Sequence, residues 1–86
     1  MKKMYFCVCR NQESTVYHIF KCKINFLSRN CYFIDTKSVC NDYTLSTTNH
    51  ECFIDCMTLK EAREQCALMA NGGEKICPEC VSKLYK

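Results

Sequence analysis

The chain has 86 residues, 10 of them cysteines, and its 12 basic and 9 acidic side chains give a formal net charge of +3. A chain of this length fits one domain and builds only a small core, so we expect disulfides or a metal ion to reinforce it. The mild charge permits contact with nucleic acid but does not require it. No apolar run approaches the length of a membrane-spanning helix, so we expect no membrane segment.

The first ten residues, MKKMYFCVCR, bear on the cellular compartment. Their apolar run ends at Arg10 and Asn11, which is too short for a signal peptide, and no small-residue cleavage site follows. A chain without an export signal stays where thiols remain reduced. We therefore expect a cytoplasmic protein, in a bacterial cytosol or an infected host cell.

Two strands are predicted first along the chain. Residues 4–10 (MYFCVCR) and 15–24 (TVYHIFKCKI) are rich in aromatic and small apolar side chains, and the polar residues 11–14 separate them, which predicts a hairpin. Alternation in the second strand places His18 and Cys22 on one face. These two residues lie far apart along a strand, so a bend between them is needed if both are to reach one ion.

Three further segments precede the helix. Residues 31–35 (CYFID) are a predicted strand, residues 36–51 are polar and predict a loop or an irregular hairpin, and residues 51–56 (ECFIDC) predict a short strand.

The clearest helix begins after Thr58. Thr58 followed by Glu61 three residues later forms a capping box, and Asn71-Gly72-Gly73 predicts the end of the helix. Its apolar stripe consists of Leu59, Ala62, Cys66 and Met69. Residues 1–86 therefore predict a single α+β domain, with a small antiparallel sheet of about three strands and one main helix, reinforced by a structural zinc ion.

The strongest local chemical signal is Cys77-Pro78-Glu79-Cys80. Two cysteines spaced by two residues can direct both sulfurs at one ion and are the usual half of a tetrahedral zinc site. A redox motif of this spacing belongs at a strand-to-helix junction of a βαβ unit, but here it follows a helix. His18 and Cys22 are the most suitable second half, which predicts a zinc site of His18, Cys22, Cys77 and Cys80.

The remaining cysteines leave a second, weaker candidate. Cys40, His50, Cys52 and Cys56 form a loose metal-binding pattern. Reduced cysteine also behaves as a small buried apolar residue, and this interpretation suits Cys66 on the helix stripe and also Cys7 and Cys9.

The segments RNQESTVYHIFKCK, SRNCYFID and TLKEAREQCA, followed by CPEC, resemble the metal-binding domain of the Ada DNA-alkylation-repair protein and similar small zinc modules. The resemblance implies the same four ligands and marks residues 36–57 as an insertion. In that family the first member of the C-x-x-x-C pair accepts a methyl group from DNA. His18 stands at this position, and a zinc-bound imidazole has no electron pair for that reaction, so methyl transfer is not expected.

These observations predict a non-catalytic, zinc-stabilised binding module, because a closed ligand set leaves no open position for water. The partner is a nucleic acid or a protein, no small-molecule substrate is expected, and the size suits an accessory protein of a phage or mobile element. The candidate nucleic-acid contacts are Arg10, Lys21, Lys23 and Arg29.

Two alternatives stay open at this stage. An even number of cysteines allows an extracellular disulfide-rich toxin or inhibitor, although the chain has few Gly and Pro residues. A cysteine-based redox or methyl-accepting enzyme is the third interpretation, and it has the least support.

Overall fold

The computed structural model describes residues 4–85, apart from the side chain of Asp55. Its elements in chain order are β1 (Tyr5–Asn11), β2 (Val16–Ile24), β3 (Cys31–Phe33), β4 (His50–Met57), α1 (Leu59–Asn71), β5 (Lys75–Ile76) and α2 (Pro78–Lys83). Four strands form an antiparallel sheet in the order β3-β2-β1-β4, and β5 pairs with β2 in parallel.

The first hairpin follows directly from its sequence. β1 and β2 pair antiparallel, with Cys7 opposite Phe20 and Tyr5 opposite Cys22. Both strands alternate between two buried faces, because the sheet has an apolar layer on each side. The two predicted strands, 4–10 and 15–24, are confirmed, and each of their ends lies within one residue of the prediction.

β4 is irregular, although residues 51–56 were correctly predicted as a short strand. Its pairing with β1 shifts register twice, once between Phe6 and Val8 and once between Val8 and Cys9. Each shift adds one residue to β4, so its side chains do not alternate with a period of two. Cys56 lies at one of these bulges with a φ of 46°, in the left-handed region.

The predicted capping box at the start of α1 is confirmed. The Thr58 side chain accepts a hydrogen bond from the Glu61 backbone, and the Glu61 side chain accepts one from the Thr58 backbone. The helix ends at Asn71, Gly72 is its C-cap, and Gly73 takes a φ of 90°. Of the predicted stripe, Ala62, Cys66 and Met69 are buried, and Leu59 is partly exposed.

The core is divided into two layers by the sheet. One layer joins the sheet to α1 and α2 and includes Val8, Ile19, Cys66 and Leu84. The other layer lies on the opposite face around Cys7, Cys9, Phe20, Cys22 and Leu45. The cysteines are therefore a large share of the apolar interior on both faces.

The predicted fold of about three strands and one main helix was wrong. The molecule is mainly a curled antiparallel sheet with two short helices. The strand predicted at 51–56 forms most of β4, whereas β5 was not predicted, because it has only two residues, Lys75 and Ile76, which carry no periodic signal. The segment 36–57, expected as an insertion, contains β4, which is paired along β1.

Candidate metal centres

The first site is organised by the edge of β2 that faces away from β1. On this edge the carbonyl oxygen of Tyr17 accepts a hydrogen bond from the backbone of Cys77, and that of Ile19 accepts one from Val39, each at 2.8 Å. The first bond brings in the start of α2, and the second brings in the loop after β3. His18 lies between the two carbonyl groups on β2 and faces both arriving segments.

His18, Cys40, Cys77 and Cys80 converge at this edge, and we call them the mixed cluster. Their ligand atoms all lie within 4.8 Å of one another. The His18 Nδ1 atom is 3.6 Å from the Cys80 sulfur and 3.7 Å from the Cys40 sulfur. A tetrahedral zinc ion at ordinary bond lengths separates a sulfur and a nitrogen ligand by about 3.6 Å. The spacing therefore fits one tetrahedral cation.

The imidazole of His18 is held in the form that binds metals. Burial lowers the pKa of His18, and the nearby Asp42 opposes this shift only in part. The ring stacks on Tyr43 with 4.0 Å between ring centroids and 7° between planes. A neutral ring with Nδ1 directed at the sulfurs is a suitable first ligand.

The thiols of the mixed cluster sit in unequal environments. Burial opposes ionisation of Cys40, but hydrogen bonds from the Ser38 side chain and the Asp42 backbone outweigh it and lower the pKa of Cys40. The Ser38 oxygen lies 3.0 Å from the Cys40 sulfur. Burial raises the pKa of Cys80 to about 12. Cys80 therefore ionises at neutral pH only if a bound cation stabilises its thiolate.

A second set of sulfurs lies on the other face of the sheet, and we call it the four-sulfur cluster. It consists of Cys7, Cys22, Cys31 and Cys56, and their sulfurs also lie within 4.8 Å of one another. They are joined as two disulfides, Cys7–Cys22 and Cys31–Cys56. A third disulfide, Cys9–Cys52, lies outside this cluster.

The structure divides the sequence-based ligand set between the two clusters. His18, Cys77 and Cys80 come together in the mixed cluster, but Cys22 belongs to the four-sulfur cluster, and Cys40 takes its place beside His18. Four residues of a regular strand extend about 13 Å, so His18 and Cys22 reach two different sites. The bend that would bring them together is absent from β2, which pairs with β1 from Cys22 to His18 without a register shift.

Cys40 was missed as a partner of His18 because no spacing motif links it to His18 or to CPEC. The feature of the sequence that marks the position of Cys40 is the turn in which it lies. Cys40 lies in a turn in which the Asn41 backbone donates to the Ser38 carbonyl, and Asn41 takes a φ of 67°. Ser and Asn favour such turns.

The weaker predicted set does not come together. Cys40 is in the mixed cluster, Cys52 is bonded to Cys9, and Cys56 is bonded to Cys31. The Nδ1 atom of His50 lies 2.6 Å from the Ser46 carbonyl oxygen.

The four candidate nucleic-acid contacts also differ in their surroundings. Arg10 forms an ion pair with Glu51 and lies over the Tyr17 ring. Lys21, Lys23 and Arg29 are exposed, and none of them has an ion-pair partner among the described residues.

The fold and the sites define a small cysteine-rich domain with two clusters of Cys and His side chains that could hold metal ions. Comparison with protein-family models, with curated protein sequences and with solved structures finds no match. The Ada-like resemblance therefore stays a prediction that rests on the quoted residues. Within residues 4–85, neither helix has the length and apolar character that crossing a membrane requires.

Proposed function

We propose that this protein is a non-catalytic binding module whose fold is stabilised by a zinc ion in the mixed cluster. The observation that carries the proposal is the convergence of His18, Cys40, Cys77 and Cys80 from three separate segments at the spacing of tetrahedral ligands. A core this small gains much of its stability from such a cross-link.

Zinc is the cation that this donor set favours. Three thiolates and one imidazole are a standard structural zinc set, whereas hard cations such as magnesium prefer oxygen ligands. Cys80 is fully buried, and Cys40 and Cys77 are nearly so. Four protein ligands leave no coordination position for water, so we expect no metal-dependent hydrolysis.

Native mass spectrometry of the chain, purified with a phosphine reductant, tests this proposal. We expect bound zinc, and we expect chelation to remove it together with the cooperative unfolding transition. Cys77→Ser should lose the ion of the mixed cluster and its stabilisation. Cys66→Ala is the matched control, because Cys66 is an equally buried cysteine of the same core layer that belongs to neither cluster. A Cys77→Ser chain that binds as many zinc ions as the wild-type chain and keeps its stability would contradict the proposal.

The three disulfides favour a second candidate, an extracellular disulfide-stabilised protein. The two candidates differ in the treatment that unfolds the protein. An extracellular protein of this kind should unfold on reduction and ignore chelators, whereas the proposed module should unfold on chelation in a reducing compartment such as the cytoplasm. The thiols of Cys40, Cys77 and Cys80 beside an imidazole support the zinc-stabilised module.

We further propose nucleic acid as the partner, bound along the β2–β3 hairpin. Lys23 lies opposite Tyr32 in the strand register, so their side chains share one face. Phe26, at the tip of the hairpin, is 90% exposed, and Tyr32 is 49% exposed. Basic side chains beside exposed aromatic rings are typical of surfaces that bind single strands through phosphate contacts and base stacking. Arg29 adds a further cation at the tip.

Fluorescence anisotropy with a labelled single-stranded oligonucleotide of mixed sequence tests the partner class. We expect binding that weakens with salt, and we expect Lys23→Ala/Arg29→Ala to reduce the slope of log affinity against log salt by about 1.4. Lys60→Ala, an exposed cation on α1, is the control and should leave the slope nearly unchanged. Absence of binding at low salt would overturn nucleic acid as the partner and would direct the search to proteins.

A further inference from the structure

We propose that the four-sulfur cluster is a second metal site, so that its two disulfides and a bound thiophilic cation are alternative states of the same four cysteines. The clearest indication is the distance between sulfurs that are not bonded to each other. Cys7 and Cys31 belong to different disulfides, yet their sulfurs lie 3.5 Å apart. Two independent disulfides need no mutual contact. Four thiolates around one zinc ion lie about 3.8 Å apart, as the zinc–sulfur bond length requires.

The topology supports the same conclusion. Cys7, Cys22, Cys31 and Cys56 come one each from β1, β2, β3 and β4. β3 and β4 are the two ends of the four-stranded order, and curling of the sheet brings Cys31 and Cys56 to a Cα–Cα distance of 5.8 Å. One cation at this position would tie all four antiparallel strands together.

The bulge in β4 directs Cys56 into the cluster. The register shift between Phe6 and Val8 adds the residue that turns Cys56 out of the regular alternation. At this point the backbone N–H of Cys56 donates to the Cys7 sulfur at 3.4 Å. A backbone donor aimed at sulfur stabilises a metal-bound thiolate by a charge-assisted hydrogen bond, whereas a disulfide sulfur is a weak acceptor.

One side of the cluster is closed to solvent. Cys7 and Cys22 are 1% and 0% exposed, whereas Cys31 and Cys56 are partly exposed. The rings of Phe20 and Phe33, which face each other edge to face, lie in the same apolar layer. A buried thiolate needs a cation nearby, and a site shielded from water strengthens that attraction.

Conversion of the disulfide state to the metal-bound state begins with reduction. Each disulfide takes up two electrons and two protons and becomes two thiols, while a phosphine reductant becomes its oxide with an oxygen from water. One divalent cation then displaces the four thiol protons and forms four metal–sulfur bonds. An oxidant such as a peroxide reverses the exchange, removing four electrons in all and releasing the cation.

Native mass spectrometry of the full chain, refolded with zinc, compares the reduced and the oxidised states. We expect two zinc ions per reduced chain and one per oxidised chain, because of the two clusters only the four-sulfur cluster is joined by disulfides, whereas the thiols of Cys40, Cys77 and Cys80 are free. Cys31→Ser/Cys56→Ser should bind one ion in both states. Cys9→Ala/Cys52→Ala, which removes the disulfide outside the cluster, is the matched control and should still bind two ions when reduced.

The number of bound zinc ions shows which of the two proposed sites is wrong. A single ion in the reduced wild-type chain that persists in Cys31→Ser/Cys56→Ser overturns the second site and leaves the mixed cluster intact. A single ion that this variant loses overturns the mixed cluster instead. If the variant does not fold, cobalt titration of the reduced wild-type chain decides, because sulfur-only and sulfur–nitrogen sets absorb differently. One spectrum that saturates at one equivalent contradicts the second site.

Discussion

The mixed cluster and the four-sulfur cluster share one strand but differ in what oxidation can do to them. β2 supplies His18 to the first and Cys22 to the second. Four thiols can pair completely into two disulfides, and those of the four-sulfur cluster do. Three thiols and an imidazole cannot, so at least one thiol always remains in the mixed cluster. The mixed cluster, with its imidazole, is therefore suited to a metal ion. The four-sulfur cluster, which has no imidazole, can exchange between a metal ion and two disulfides.

Loss of a ligand from the mixed cluster is expected to have the largest effect. Structural zinc sites contribute apparent binding free energies of about 10 kcal/mol, and losing even an outer-shell partner of a ligand costs about 10- to 100-fold in metal affinity. Cys40→Ser removes a ligand itself and should therefore lower the affinity of the mixed cluster for zinc by more than about 100-fold. Competition with a chromophoric chelator under reducing conditions, in the Cys31→Ser/Cys56→Ser background where only the mixed cluster is intact, measures this affinity.

Cys22→Ser is the control that separates the two clusters. It should leave one tightly bound zinc ion, because Cys22 lies outside the mixed cluster. The reverse pattern, with Cys22→Ser weakening the site and Cys40→Ser leaving it intact, would restore the ligand set predicted from sequence spacing.

Removal of the third disulfide should have the next largest effect. Cys9 and Cys52 are separated by 43 residues, and closing a loop of this length stabilises a chain by about 4 kcal/mol in the chain-entropy model. Cys9→Ala/Cys52→Ala should lower the free energy of unfolding by about this amount in oxidising buffer and by much less in reducing buffer. Denaturant titrations in the two buffers give the difference. Equal losses in both would show that packing, and not the cross-link, is responsible.

The pH dependence of stability should have opposite signs with and without zinc. In the metal-free chain, burial raises the pKa of Cys66 and raises that of Cys80 to about 12. The folded state then retains protons that the unfolded state has lost, so stability should fall as the pH rises above the ordinary thiol pKa of about 8.5.

With zinc bound, the folded state carries thiolates and the unfolded state carries thiols below about pH 8.5. Stability of the zinc-loaded chain should therefore rise with pH from 5 to 8, because fewer protons compete for the ligands. Thermal melts from pH 5 to 8 with zinc, and above about pH 8.5 with chelator, check the two slopes. A zinc-loaded chain whose stability does not change with pH would argue against thiolate ligands.

Ordinary helix capping should contribute least. Thr58→Ala removes the side-chain half of the capping box and should cost about 1 kcal/mol. Thr58→Ser keeps a hydroxyl at that position and should recover most of the loss. Denaturant unfolding of the two variants measures the difference. An effect as large as that of Cys40→Ser would show that α1, and not the mixed cluster, dominates stability.

Local patterns in the sequence were sufficient for part of the fold. The capping box at Thr58 and Glu61 and the two strands of the first hairpin depend on neighbours in the chain, and all three were predicted within a residue or two. The strand at 51–56 was also predicted, but its two bulges were not, because they arise from pairing with β1, a contact distant in sequence.

In the candidate sites too, local spacing was predictive and contacts between distant residues were not. The C-x-x-C spacing of Cys77 and Cys80 is local and identified half of the mixed cluster. Cys40 reaches His18 only because the backbone of Val39 donates to the carbonyl of Ile19, a contact between residues far apart in sequence. Spacing alone favoured Cys22, which a straight strand carries away from His18.

X-ray absorption at the zinc edge tests the central claim most directly. The sample is the Cys31→Ser/Cys56→Ser chain loaded with one equivalent of zinc, so that only the mixed cluster is intact. We expect three sulfur ligands at about 2.3 Å and one imidazole nitrogen at about 2.0 Å. Four sulfurs, or a zinc ion with oxygen ligands from water, would contradict the assignment of His18, Cys40, Cys77 and Cys80 as the zinc site.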